Sequence, residues 1–274
     1  MKIMKPIVGI AAALALVATP LTAAYAADDT TKGSAIRLGA DLDQIDTLNP
    51  FTSIFDVALT VLSYQYYPLA GIAESGDYDG LLADDFSAEG NVWTYHIRDE
   101  AKWSDGEPVV ADDVVWTYES VKNDKAMQVA NGESVGNIAK VTAVDDKTVT
   151  FETNSPTALH PGTLPIVPKH IWEKLDDPAT YENTTDVVGS GPFVISEYKR
   201  GTSITMQANP NFYGGAPGVD KLLISGFKNT DAMVLALRNG EIDMVGGLSS
   251  AQYDALKEVK GMKTHQAEST HFWN

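Results

Sequence analysis

Apolar and polar positions change period several times along the chain, and each change marks an element. In "AIRLGA", Ile36 and Leu38 alternate with Arg37, which predicts a short strand. Asn49-Pro50 then breaks regular structure, because a residue before proline is pushed towards extended geometry. Val57, Val61, Leu62 and Tyr66 share one helical face, which Pro68 and Gly71 end. "GDYDGLLADDFSAEG" reads as loop and turn. Trp93, Tyr95 and Ile97 alternate with Thr94, His96 and Arg98 as a half-buried strand. Ser104-Asp105-Gly106 is a tight turn, and Asp112 is the expected N-cap of a helix with Val114, Tyr118 and Val121 on one face. "KVTAVDDKTVTFET" and "GSGPFVISEYKRGTSITMQAN" read as hairpins, the second turning at Arg200-Gly201. Near Thr230 a helix starts that Gly240 ends, and "SSAQYDALKEVKG" repeats the pattern of helix, glycine, strand. The sum is a mixed α/β chain with antiparallel hairpins and helix-to-strand crossovers.

The first residues carry a different pattern. Lys2 and Lys5 precede an apolar run from Ile7 to Val17, and small residues stand at Ala24 and Ala26. Residues 1–26 are expected to be a secretory signal cleaved after Ala26, with a buried N-terminal helix as the alternative. The formal charge of −17 becomes −19 once Lys2 and Lys5 are gone. So acidic a chain repels phosphate backbones and anionic lipid, which argues against nucleic acid as a partner. The absence of cysteine excludes disulfides, thiol nucleophiles, thiolate zinc sites and a lipid anchor through cysteine.

Catalytic patterns are not met. There is no G-x-S-x-G, no H-E-x-x-H and no phosphate loop, and "GSGP" at 189–192 reads as a turn feeding a strand. His265 and His271 fall in the last expected strand, roughly 20 Å apart, too far for one metal ion. No metal and no cofactor is expected. Asp105, Asp112, Asp145 and Asp146 read as turn or cap residues. An exported hydrolase with a carboxylate pair stays as a minor alternative.

The stretch "WTYHIRDEAKWSDGEPVVADDVVWTYES" resembles the signature of the family 5 extracellular solute-binding proteins of ABC transporters, which take peptides, dipeptides, nickel and some oligosaccharides. The matching positions are Ile97-Arg98, Trp103, Asp105-Gly106, Pro108, Ala111 and Val114. "DTLNPFTS", "LPIVPKHIWEKL", "GSGPFVISEY", "QANPNFYGGAPGVDKLLI", "ALRNGEIDMV" and "HFWN" resemble further family segments in the same order. Trp93, Tyr95 and Trp116 are read as core and Arg98 and Asp105 as loop ties, with direct ligand contact as the other reading.

The resemblance implies an α/β fold of the periplasmic-binding-protein type: a class II, two-lobed clamp that closes on ligand by a hinge motion. Residues 27–58 and 187–274 would form the core of the first lobe and 59–186 an inserted domain. The second lobe is expected to be absent from this chain, and with it the acidic residue that captures a peptide's amino terminus. The implied function is the substrate-binding component of an importer, not an enzyme. Its partners would be a small peptide, or alternatively an oligosaccharide, and the permease subunits, and it would act as a monomer. It would be exported to the periplasm or cell surface. The expected cleft residues are Asn49, Thr52 and Ser53 after the first strand, and Thr270, Phe272 and Trp273 at the chain's end. Phe272 and Trp273 have ordinary strand core as their alternative.

Overall fold

The alternation at 35–40 forms strand β1 (Ala35–Ala40), with Leu38 turned into the core. The structure is a computed structural model that describes residues 34–73, 75–157 and 159–266. The expected signal, Thr270, Phe272, Trp273 and His271 lie outside the described residues.

After β1 come α1 (Asp56–Ser63), β2 (Ala70–Ile72), β3 (Tyr78–Gly80), β4 (Ala83–Glu89) and β5 (Val92–Ile97). Next are α2 (Ala111–Asn123), α3 (Lys125–Gly136), β6 (Ile138–Ala143), β7 (Thr148–Thr153) and α4 (Lys169–Trp172). The chain then runs through β8 (Phe193–Lys199), β9 (Ser203–Ala208), β10 (Lys221–Gly226), α5 (Thr230–Arg238), β11 (Met244–Val245) and α6 (Ser250–Lys257).

Two larger sheets result. One has the order β11-β1-β10-β9-β8 and the other β4-β5-β7-β6, while β2 and β3 pair separately. In the first, β1 runs parallel to β10 and β11, and the hairpin β8–β9 adds antiparallel strands. The second is antiparallel throughout. One apolar core runs through both, from Leu38 and Ile224 to Tyr95, Tyr118 and Phe151.

Three expectations are corrected. Residues 76–90 hold β3 and β4, not loop alone. β4 is an edge strand with the sequence ADDFSAE, and its acidic outer face is how an exposed edge resists pairing with other chains. That face hides the strand signal. The N-cap of α2 is Val110, not Asp112, and the carboxylate of Asp113 reaches back to accept the Val110 N–H at 2.9 Å. Finally, residues 262–266 take no regular structure, so His265 does not stand in a strand.

"GSGP" owes its glycines to a close crossing. A Cβ on Gly191 would fall inside the carbonyl oxygen of Tyr64, and one on Gly189 inside that of Gln65. Their absence lets Gly191 N donate to Gln65 O at 2.9 Å and Phe193 N to Tyr64 O at 3.1 Å. β8 is thereby seated against the end of α1.

An aromatic cluster from β3, β4 and β5 gathers on His160. Tyr78 stacks on its ring at 4.0 Å, Trp93 lies at 4.3 Å and Phe86 meets it edge-on at 4.8 Å. Burial pushes this imidazole below its usual 6.5. The folded state therefore favours the neutral ring. The stability it contributes is intact above pH ~6.5 and is lost as pH falls through the lowered folded-state value. His160→Phe keeps a ring in the cluster without the titration. Its melting temperature is expected to fall less than the wild type's between pH 7.5 and pH 5, and equal falls would contradict this.

Candidate functional site

In open sheets with parallel strands, ligands bind outside the carboxyl ends of those strands. Here β1, β10 and β11 end on one edge, at Ala40, Gly226 and Val245. β1 delivers the chain to that edge, and residues 46–55 follow as a loop before α1.

The loop is held by its own side chains. The exposed Asp46 carboxylate accepts from Thr47 N at 2.8 Å, Ser53 Oγ at 2.9 Å and Ile54 N at 3.1 Å, drawing both ends together. Asn49 O accepts from Thr52 N and Ser53 N, at 3.3 and 3.1 Å. Asn49 Oδ1 accepts from Phe51 N at 2.9 Å.

Three asparagines anchor it to distant chain. Asn49 donates from Nδ2 to Pro178 O at 2.8 Å and Tyr181 O at 2.9 Å. Asn183 Nδ2 donates to Leu48 O at 2.7 Å, and Asn131 Nδ2, from α3, to Phe51 O at 2.7 Å. Below the loop Phe51 meets Trp172 edge-on at 5.1 Å, and Trp172 in turn meets Tyr181 at 5.2 Å and Tyr66 at 6.4 Å.

Of the expected cleft residues, Asn49 is 0% exposed and its amide is spent inside the protein. Ser53 is 3% exposed, and its hydroxyl donates to Asp46. Thr52 is half-buried with no hydrogen bond to its hydroxyl among the described residues. Ile54 and Phe55 stand exposed beside it. The structure thus brings Asn49, Thr52 and Ser53 into one loop, in which Asn49 and Ser53 shape it and Thr52 is presented. Asn131, Asn183 and Trp172 were not named from sequence. Each acts on a residue at least 80 positions away, and nothing local marks it.

In the aromatic, acidic stretch from Trp93 to Ser120, the side chains of Trp93, Tyr95 and Trp103 are buried and its turn is tied to distant chain. Trp103 is fully buried, and its Nε1 donates to Asp113 at 3.1 Å. Gly106, at φ +97°, closes the turn by donating to Trp103 O at 2.9 Å. Ser104 and Gly189 exchange two bonds: Ser104 N donates to Gly189 O at 2.9 Å and Gly189 N to Ser104 Oγ at 3.2 Å. Asn211 Nδ2 adds a bond to Ser104 O at 3.1 Å, and Asp105 pairs with His170 Nε2 at 2.8 Å. Arg98 donates to Leu81 O at 2.7 Å and lies 5.0 Å over the ring of Tyr213. Burial pushes the Tyr213 hydroxyl up to about 12, although Arg98 pulls it the other way. The stretches "WSDGEP", "PKHI", "GSGP" and "NPNFYG" therefore meet at one junction between the two sheets. Among the described residues there is no group of three metal-ligating side chains and no helix long and apolar enough to cross a membrane.

The chain as a whole is similar to known proteins. The probable peptide-binding protein YejA of Agrobacterium fabrum is 31% identical over 248 residues, covering 84% of this chain and 40% of YejA. The oligopeptide-binding protein AppA of Bacillus subtilis, solved with a nonapeptide, superposes with a TM-score of 0.69 at 25% identity, covering 78% of this chain and 44% of that one. MoaA of A. tumefaciens R10, solved with mannopinic acid, gives 0.71 at 27% identity, with coverages of 82% and 47%. The chain spans about two fifths of the length of the curated relatives it matches. The family model described as bacterial extracellular solute-binding proteins, family 5 Middle, matches residues 71–274. The chain belongs to the bacterial extracellular solute-binding proteins of family 5.

Proposed function

We propose that the intact protein is the extracytoplasmic solute-binding component of an ABC importer. It captures oligopeptides in a cleft between two lobes and hands them to the permease. The observation that carries this reading is the loop 46–55, placed at the carboxyl edge of the parallel strands in a chain of this family. The loop opens on Asp46, is followed by Asp56 at the start of α1 and has no basic residue, which favours a ligand bearing an amino group over an anion. Relatives named as peptide binders support the ligand class.

Sheet membership supports a division of the chain. Residues 35–40 and 193–245 supply one sheet and residues 83–153 the other, in keeping with a lobe core of 27–58 and 187–274 interrupted by 59–186. The protein acts as a monomeric binder outside the cytoplasm and turns nothing over. A second reading rests on MoaA: a small polar solute such as an opine or sugar in the same cleft.

Thermal unfolding of the intact protein separates these. A library of random tri- to pentapeptides is expected to raise the melting temperature by several degrees, since saturation at a hundred times Kd stabilises by ~2.7 kcal/mol. A rise with mannopine, maltotriose or nickel–histidine alone would overturn the peptide class and leave the importer class standing. Hydrolysis of the library would overturn both.

A further inference from the structure

We infer that Asn183 is a positioning residue: it latches the loop 46–55 to the segment 177–183, so that the two move as one unit. Calling this the ligand loop rests on the function proposed above.

Asn183 has φ +53°, in the left-handed region where a side chain is unfavourable and glycine is the usual occupant. Asparagine tolerates the region better than most residues, yet its side chain would be pointless there if only the backbone mattered. That side chain is in fact buried, at 1% exposure. Its Nδ2 donates to Leu48 O at 2.7 Å, and its Oδ1 accepts from the Tyr66 hydroxyl at 2.9 Å. One amide thus joins the start of the loop to the chain just beyond α1.

The contact is reciprocal. Asn49 sends its own amide back to the carbonyls of Pro178 and Tyr181. Each segment gives an asparagine side chain to the backbone of the other, across more than 120 residues of sequence. An amide bond network of this kind fixes orientation as well as distance, because donors and acceptor lie in one plane. Loop 46–55 cannot shift without dragging 177–183. That segment leads through Gly189, bound to Ser104, into β8.

Hydrogen exchange by mass spectrometry tests this without a ligand, so a negative result leaves the importer reading untouched. In Asn183→Gly the left-handed backbone is unstrained, and the bonds to Leu48 O and from the Tyr66 hydroxyl are lost while those of Asn49 remain. Segments 46–55 and 177–183 are both expected to exchange at least tenfold faster, while 92–97 and 148–153 stay at wild-type rates. Asn183→Asp, which keeps the acceptor for Tyr66 but not the donor to Leu48, should give the same regional pattern, and it serves if the glycine variant does not fold. Unchanged exchange in both segments, acceleration in one alone, or a uniform rise across the chain would overturn the proposal.

Discussion

Trp172→Ala is expected to cost about 3–5 kcal/mol, the range for emptying a buried tryptophan site. Trp172 is 1% exposed and touches Phe51, Tyr66 and Tyr181, three rings that cannot collapse into its place without leaving their own partners. It stands on a helix of only four residues, which has little internal stability to hold the gap open or closed. The loss should be regional as well as global. Phe51 loses its ring partner, so amides of 49–54 should exchange faster than overall destabilisation explains. Urea unfolding gives the first number and hydrogen exchange the second. A cost below ~1 kcal/mol with an unchanged loop would show that Trp172 is not the loop's floor.

Asp113→Ala is the second large effect, again about 3–5 kcal/mol, because it strips the shared acceptor from three N–H donors, each lost bond costing ~1–3 kcal/mol where the donor is buried. The carboxylate accepts from Trp103 Nε1 at 3.1 Å, Val110 N at 2.9 Å and Lys169 N at 2.8 Å. These three donors come from the signature turn, the start of α2 and the start of α4. Alanine leaves the buried Trp103 indole N–H and the half-buried Val110 and Lys169 amides without their partner. Burial pushes the Asp113 carboxyl up, against the pull of those bonds, so the oxygens matter more than the charge. Asp113→Asn should therefore recover part of the loss, since one oxygen remains while its NH2 faces a donor. Equal stability of wild type and the asparagine variant, or an alanine cost under ~1 kcal/mol, would contradict the role given to Asp113.

The same residue shows what a sequence can and cannot reveal. Trp93, Tyr95 and Ile97 announced β5 because period-two alternation is a local property, and both hairpins declared themselves through turn residues flanked by alternating runs. β4 stayed hidden because an edge strand draws its order from its neighbour and can carry ADDFSAE on the way. Asp112 has the sequence position of a cap, yet Val110 is the N-cap and Asp113, at the third helical position, accepts the Val110 N–H while its carboxylate also serves Trp103 and Lys169. At the site, Thr52 and Ser53 could be picked as polar groups after a strand. What could not be read was that Asn49 turns inward, since its partners Pro178 and Tyr181 lie about 130 residues on. Asn131 and Asn183 were invisible for the same reason. Polar ties between distant segments leave no periodic trace.

The proposed function requires loop 46–55 to face bound ligand in a peptide-binding clamp. It is tested most directly by hydrogen exchange of the intact protein with and without the random tri- to pentapeptide library at saturation. Slower exchange is expected across 46–55 in the presence of the library, with unchanged exchange across 92–97 and 148–153. Stabilisation by the library with no added protection in 46–55 would place the ligand elsewhere and contradict a ligand-facing loop.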